Sequence, residues 1–146
     1  MRSLLVGVGN AIRRDDGAGP AVLERIACRK LVVHQLLPEH ATELAGCDRV
    51  LFVDAAVGGE LTAAKVSPAV ASPALGHTGS PAWLLALCEH LYGRTPEAWL
   101  LTVPGSDFGY GEGLSPPAER AVAAAAELVR EWLSRSAAAV PPPASG

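Results

Sequence analysis

The 146-residue sequence has few cysteines and no long hydrophobic run. The number of cysteines is odd, they lie far apart, and none forms a C-x-x-C pair (Cys28, Cys47 and Cys88). Neither a disulfide framework nor a zinc ribbon is therefore expected. No apolar stretch approaches the roughly 20 residues of a membrane-spanning helix. The apolar N-terminal run is interrupted before it reaches the length of a signal-peptide core. These absences predict a cytoplasmic protein with buried free thiols.

The chain also lacks an excess of positive charge. Its 12 Lys and Arg residues are outnumbered by 15 Asp and Glu residues, which gives a formal net charge of -3. Such a chain has no strong positive field with which to hold a phosphate backbone. We therefore expect no nucleic-acid partner and, in the absence of a membrane-spanning segment, no membrane partner.

The length and the apolar content of the sequence predict one domain. A hydrophobic fraction of 49% is enough to fill a core on two sides of a sheet. We expect the folded domain to comprise residues 1–136. The Ala- and Pro-rich residues 137–146 are predicted to be a disordered tail.

Short apolar segments alternate with helical patterns along the chain. Strands are predicted from apolar or alternating runs at residues 4–8, 31–37, 49–54, 61–66 and 98–103. Helices are predicted from apolar positions at helical spacing after Gly19, near residues 40–44, from Ser80, and from Ser115 to about Ser134. This alternation predicts an α/β fold, a three-layer αβα sandwich with a mainly parallel, twisted sheet of about five strands.

Chemically reactive side chains follow three of these predicted strands. Asp15 and Asp16 come after the first strand, Asp54 closes the third, and His77 lies just before the Ser80 helix. Ligands of open α/β sheets bind outside the carboxyl ends of the strands, where these residues are expected to converge. Two carboxylates and an imidazole suit a divalent transition metal with open positions, which can polarise a carbonyl or activate water. The pattern therefore favours hydrolytic chemistry and leaves the metal undetermined.

Less specific interpretations of the same residues stay open. The Asp15-Asp16 pair is also typical of a solvated turn with a helix-capping carboxylate, and an isolated histidine such as His77 is commonly a simple loop residue. The segment that begins at Gly7 resembles a dinucleotide-binding loop, but Ile12 occupies the position of the third glycine that such a loop requires. The acidic pair would also repel a pyrophosphate, so no nucleotide is expected in this loop. We predict no organic cofactor.

Three sequence blocks resemble the hydrogenase maturation protease family. The motif G-V-G-N-A-I-R-R-D-D-G-A-G-P at residues 7–20 is similar to the opening signature of that family. Residues 50–55, V-L-F-V-D-A, resemble its hydrophobic strand ending in Asp-Ala, and residues 111–116, G-E-G-L-S-P, resemble the start of its last helix. His77 lies where the family's histidine is expected. The resemblance covers nearly the whole chain except the tail.

The resemblance implies a specific activity and site. Asp16, Asp54 and His77 would be the catalytic and metal-contacting residues, whereas Asp15→Asn is expected to matter less. The enzyme would recognise nickel already inserted in a hydrogenase large-subunit precursor and would then remove the precursor's C-terminal extension. Nickel would thus be carried by the substrate. The family is classed as aspartic-type, although metal-assisted hydrolysis is equally consistent with these residues. We expect the enzyme to act as a monomer.

Two other classes of protein share part of the pattern. A response-regulator receiver domain also carries paired acidic residues after its first strand and an aspartate at the end of its third. Such a domain requires a lysine before a proline at its fifth strand, where this chain has Thr102-Val103-Pro104. A non-catalytic metal-binding α/β module is the remaining alternative, in which the acidic loop would be a solvated turn.

Overall fold

The computed structural model describes residues 2–69 and 79–135 of the chain. The strands are β1 (Ser3–Val8), β2 (Lys30–Val33), β3 (Arg49–Val57), β4 (Thr62–Val66) and β5 (Glu97–Gly105). The α-helices are α1 (Ala18–Glu24), α2 (Ala41–Ala45), α3 (Pro81–Tyr92) and α4 (Pro116–Ser134). Short 3-10 helices, Arg14–Gly17 and Pro38–His40, precede α1 and α2.

The five strands form one sheet in the order β2-β1-β3-β5-β4. β1, β2, β3 and β5 are parallel, and β4 pairs antiparallel with β5 at one edge. The predicted α/β class and mainly parallel sheet are therefore confirmed. The strand order reverses at β1, because β2 lies on one side of it and β3 on the other.

Helices cover both faces of the sheet, as expected for a three-layer sandwich. Successive side chains of a strand point to opposite faces. Leu5 belongs to the apolar cluster that contains α1 and α4, whereas its neighbours Leu4 and Val6 belong to the cluster that contains α2 and α3. The buried faces are built from aliphatic residues, which explains why the strands read as continuous apolar runs.

Two helices begin where their serine caps predict. The Ser80 hydroxyl accepts a hydrogen bond from the Trp83 amide at 3.1 Å, and Ser115 accepts one from Ala118 at 3.4 Å. A proline follows each serine at the first helical position, where its missing amide proton is not required. Neither these helices nor any other in the described part of the chain is both long and apolar enough to span a membrane.

Several element boundaries differ from the prediction. β2 ends at Val33, not at residue 37, because β1, its partner in the described sheet, ends at Val8. β5 continues through Pro104, which lies beyond the last residue of β5 that pairs with β4, so its missing amide proton interrupts no bond to that strand. The end of the predicted domain and the predicted tail, residues 136–146, lie outside the described residues.

A buried arginine joins the end of α4 to the sheet. Arg49 is 5% exposed, and its guanidinium donates to the carbonyl oxygens of Trp132 at 2.7 Å and Leu133 at 2.9 Å. It also donates to the Ser3 hydroxyl at 2.6 Å and lies 4.2 Å from the centroid of the Trp132 ring. A cation at a helix C-terminus satisfies free carbonyls and complements the helix dipole.

We predict that Arg49→Ala lowers the free energy of unfolding by roughly 2 to 4 kcal/mol, because it leaves buried carbonyls without donors and removes packing from Trp132. Urea unfolding followed by circular dichroism measures this loss. Arg120→Ala, at an exposed position of the same helix, is the control and should change stability by less than about 0.5 kcal/mol. Equal stability of the two variants would contradict the prediction.

Candidate active site

The reversal of strand order creates a crevice at the carboxyl edge of the sheet. α1, which follows β1, packs on one face, and α2, which leads into β3, packs on the other. Where the strand order reverses in this way, the ends of the two neighbouring strands are left open between the helical layers, and ligands of doubly wound sheets bind there. Asp16 follows β1, and Asp54 lies near the end of β3.

Two glycines allow the loop after β1 to lie against the strand ends. Gly9 has φ 149°, and a Cβ atom at this position would lie 1.9 Å from the backbone oxygen of Asp16. A Cβ atom at Gly19 would lie 2.4 Å from the backbone oxygen of Val53. Only glycine fits such close approaches. The glycines of the opening motif therefore hold Asp16 beside the end of β3.

Asp16 and Asp54 lie near enough to each other for their charges to interact. The Asn10 amide donates to Asp16 Oδ2 at 2.8 Å, and the Ala55 amide donates to Asp54 Oδ1 at 2.8 Å. Burial raises the pKa of Asp54 to about 6; the Ala55 hydrogen bond opposes this shift, and the negative charge of Asp16 adds to it. A carboxyl group with such a pKa can exchange a proton near neutral pH, as an acid-base catalyst must.

Asp15 has the opposite environment. Its side chain is 0% exposed and accepts hydrogen bonds from the amides of Ser106, Asp107 and Ser115 at 2.8, 2.9 and 2.8 Å, and from the Ser115 hydroxyl at 2.7 Å. Burial by itself raises the pKa of Asp15, but these bonds outweigh it and lower the pKa to about 2. The interpretation of this residue as a solvated turn or a helix cap is therefore wrong.

His77, the third predicted site residue, lies outside the described residues. The description resumes at Gly79, and α3 begins at Pro81. Asp54 occupies the same alternate position along β3 as Phe52, which faces α2 and α3. Within residues 2–69 and 79–135, no group of three His, Cys, Asp or Glu residues is placed to hold a metal ion. Asp16 and Asp54 are two carboxylates, and two residues alone do not make a group of this kind.

Comparison with known proteins identifies a shared fold. No family model and no curated protein matches the sequence. The hydrogenase maturating endopeptidase HybD from E. coli is similar at 22% identity, with 99% of this chain and 98% of that chain covered and a TM-score of 0.74. The nickel-iron hydrogenase maturation protease HybD from Thermococcus kodakarensis gives 21% identity, coverages of 92% and 100%, and a TM-score of 0.71.

A third solved structure agrees with these two. The maturation protease HycI from Thermococcus kodakarensis is 23% identical, covers 92% of this chain and 93% of its own, and gives a TM-score of 0.68. The chain therefore has the fold of the hydrogenase maturation proteases.

Receiver domains have the strand order 2-1-3-4-5. The antiparallel edge strand β4 and the order β2-β1-β3-β5-β4 do not match that arrangement.

We predict that Asp54→Asn stabilises the protein at neutral pH. The folded-state pKa of about 6 exceeds the ordinary value of 3.8, so ionising Asp54 opposes folding. This penalty is absent below about pH 4, grows between about pH 4 and 6, and is complete above that range. The variant should therefore unfold with a free energy about 1 to 3 kcal/mol higher than wild type at pH 8, and the gain should disappear at pH 4. Denaturant unfolding at both pH values tests this.

The exposed Glu60→Gln is the matched control for loss of a carboxylate and should give no comparable gain at pH 8. The stability of Asp54→Asn relative to wild type should be higher at pH 8 than at pH 4. The reverse result would show that ionised Asp54 does not destabilise the folded protein.

Asp15→Asn is expected to have the opposite pH dependence. The folded-state pKa of about 2 lies below the ordinary 3.8, so Asp15 contributes stability above about pH 4 and loses it as the pH falls toward 2. The substitution should lower the free energy of unfolding by about 2 kcal/mol at pH 7. Thermal unfolding from pH 7 to pH 2 should show the deficit shrinking in acid. A deficit that is constant over this range would contradict the role given to the carboxylate charge.

Proposed function

We propose that this chain is a hydrogenase maturation endopeptidase that removes the C-terminal extension of a nickel-iron hydrogenase large-subunit precursor after nickel insertion. The observation that carries the proposal is the pair of carboxylates, Asp16 and Asp54, at the point where the strand order reverses. The shared fold with the HybD structures of E. coli and Thermococcus kodakarensis supports the proposal. The three sequence blocks that resemble the family support it further.

The two carboxylates suit recognition of a metal on the substrate. Carboxylate oxygens and imidazole nitrogens are ligands for nickel, and Asp16, Asp54 and His77 together would form a mixed set. In this proposal the nickel belongs to the precursor, so these residues contact it only while the substrate is bound. A metal bound by several carboxylates also neutralises the repulsion between them, which removes a cost of placing Asp16 beside Asp54.

Asp54 is the residue best suited to proton transfer. Hydrolysis adds water to the carbonyl carbon of the peptide bond, breaks the bond from that carbon to nitrogen, and delivers a proton to the departing amine. The ionised Asp54 would accept a proton from the attacking water and then donate it to the amine nitrogen. Its pKa of about 6 keeps both forms accessible near neutral pH. This role requires that Asp54 is not bound to the nickel at that step, because a nickel-bound Asp54 would act as a ligand and would have a lower pKa.

The experiment is to incubate the purified protein with nickel-loaded large-subunit precursor from the same source and with nickel-free precursor. Intact mass spectrometry follows the C-terminus. We expect one discrete peptide to be released only from the nickel-loaded precursor. Asp16→Asn, Asp54→Asn and His77→Ala should each reduce the rate by at least about 100-fold, whereas the exposed Glu60→Gln should retain it.

The possible outcomes separate the parts of the proposal. Equal cleavage of the nickel-free precursor would contradict the nickel requirement and leave a peptidase. Full activity in all three site variants would show that the site lies elsewhere. No cleavage of any nickel-loaded precursor from the source would contradict the proposed function. The expectation of a cytoplasmic monomer without an organic cofactor stays a prediction.

A further inference from the structure

We propose that Asp15 is a positioning residue, whose buried carboxylate fastens the loop that carries Asp16 to the loop between β5 and α4 and so fixes Asp16 relative to Asp54. We call residues 9–17 the first loop and residues 106–115 the second loop. The catalytic consequence rests on the proposed function. The claim that Asp15 positions Asp16 does not rest on the proposed function, because it concerns contacts within the chain.

Asp15 is bonded to the second loop through its side chain and its backbone. The carboxylate accepts from the amides of Ser106, Asp107 and Ser115 and from the Ser115 hydroxyl, all within 2.9 Å. The Asp15 amide donates to the Asp107 carbonyl at 2.9 Å. These partners lie more than 90 residues along the chain from Asp15. One residue therefore connects the first loop to both ends of the second.

Several other contacts join the two loops, including hydrogen bonds and an ion pair of Arg14, and they involve residues that are exposed or partly exposed. Arg13 donates to the Phe108 carbonyl at 3.2 and 3.0 Å in an exposed position, and the Gly111 amide donates to the Ile12 carbonyl at 2.8 Å. Asp15, by contrast, is fully buried. Hydrogen bonds to a buried charged group contribute more than exposed ones, and they are costly to break. Asp15 is thus the fully buried attachment between the loops.

Packing leaves the Asp15 side chain little freedom to turn away. A Cβ atom added to Gly105, at the end of β5, would lie 2.8 Å from the Asp15 Cβ. The side chain therefore packs directly on the strand end, and its oxygens meet the amides of the second loop. An asparagine of the same shape has one acceptor oxygen and an NH₂ group. At least one amide donor would then face another donor, which should displace the first loop.

Displacement of the first loop would move Asp16, the next residue. The Asp16 carboxylate accepts from the Asn10 amide at 2.8 Å, and this bond reports where the carboxylate lies. Misplacement of a catalytic group by about 1 Å can reduce a rate by about 100-fold. Asp15 never needs to touch the substrate to have this effect. It follows that Asp15→Asn should impair processing, contrary to the expectation from the sequence that this change matters less.

The test compares Asp15→Asn with Arg49→Ala in the full-length protein. Arg49 lies at the amino end of β3, far from both loops, and its loss destabilises the fold without reaching the site. The first readout is the Asn10 amide signal in a ¹H-¹⁵N correlation spectrum. The second is kcat and KM for nickel-loaded precursor, at a temperature where circular dichroism shows every variant to be folded.

We expect Asp15→Asn to move the Asn10 signal and to lower kcat at least about 10-fold, with KM within about twofold of wild type. Arg49→Ala should leave the Asn10 signal and kcat unchanged. If Asp15→Asn does not fold, Ser115→Ala provides a milder test. It removes the hydroxyl bond to Asp15, together with the cap bond from Ala118, and keeps the amide bond to Asp15. It should change both readouts in the same direction by a smaller amount.

An unchanged Asn10 signal and an unchanged kcat in the folded Asp15 or Ser115 variant would overturn the proposal. An equal loss of kcat in Arg49→Ala would also overturn it, because general destabilisation would then explain the effect. If wild type cleaves no precursor, the proposed function fails, and the Asn10 signal alone decides whether Asp15 positions Asp16. The two failures are therefore distinguishable.

Discussion

The reversal of strand order at β1 is the constraint on which the rest of the structure depends. A parallel sheet needs a helical crossover between its strands, and here α1 and α2 pack on opposite faces. The ends of β1 and β3 are consequently left open between the two helical layers. Asp16 reaches this opening from the loop after β1, and Asp54 reaches it from β3 itself. The site follows from the topology, and the topology follows from burying both faces of the sheet.

Two neighbouring carboxylates after β1 have different environments and different roles. Asp15 is surrounded by hydrogen-bond donors of a distant loop, which hold its pKa at about 2. Asp16 is only partly buried, and its charge contributes to raising the pKa of Asp54 to about 6. A buried carboxylate is tolerated either with several donors or with a raised pKa, and this site contains both solutions. The hydrogen-bond donors around Asp15 hold the two loops together. The raised pKa of Asp54 provides a group that exchanges protons near neutral pH.

The two edges of the sheet also differ in how a buried charged residue affects stability. At the amino edge, Arg49 satisfies the last carbonyls of α4 and packs against Trp132, and these hydrogen bonds and this packing stabilise the fold although burial lowers the pKa of its guanidinium. At the carboxyl edge, the partly buried carboxyl group of Asp54 destabilises the fold when it ionises. Functional sites are commonly the places where a protein retains such unfavourable groups. The packing and hydrogen bonds of the rest of the fold offset the destabilising effect of the ionised Asp54.

The sequence alone determined the fold class, the positions of the helices and the candidate acidic residues. Apolar runs, helical spacing and the serine-proline starts at Ser80 and Ser115 are local signals, because they depend on neighbours within a few residues. The ends of β2 and β5 were not predictable in this way, because they depend on where the partner strands end. Tertiary structure alone decided which member of the Asp15-Asp16 pair is buried, since the donors to Asp15 come from Ser106, Asp107 and Ser115. No local pattern contains contacts between residues so far apart in the chain.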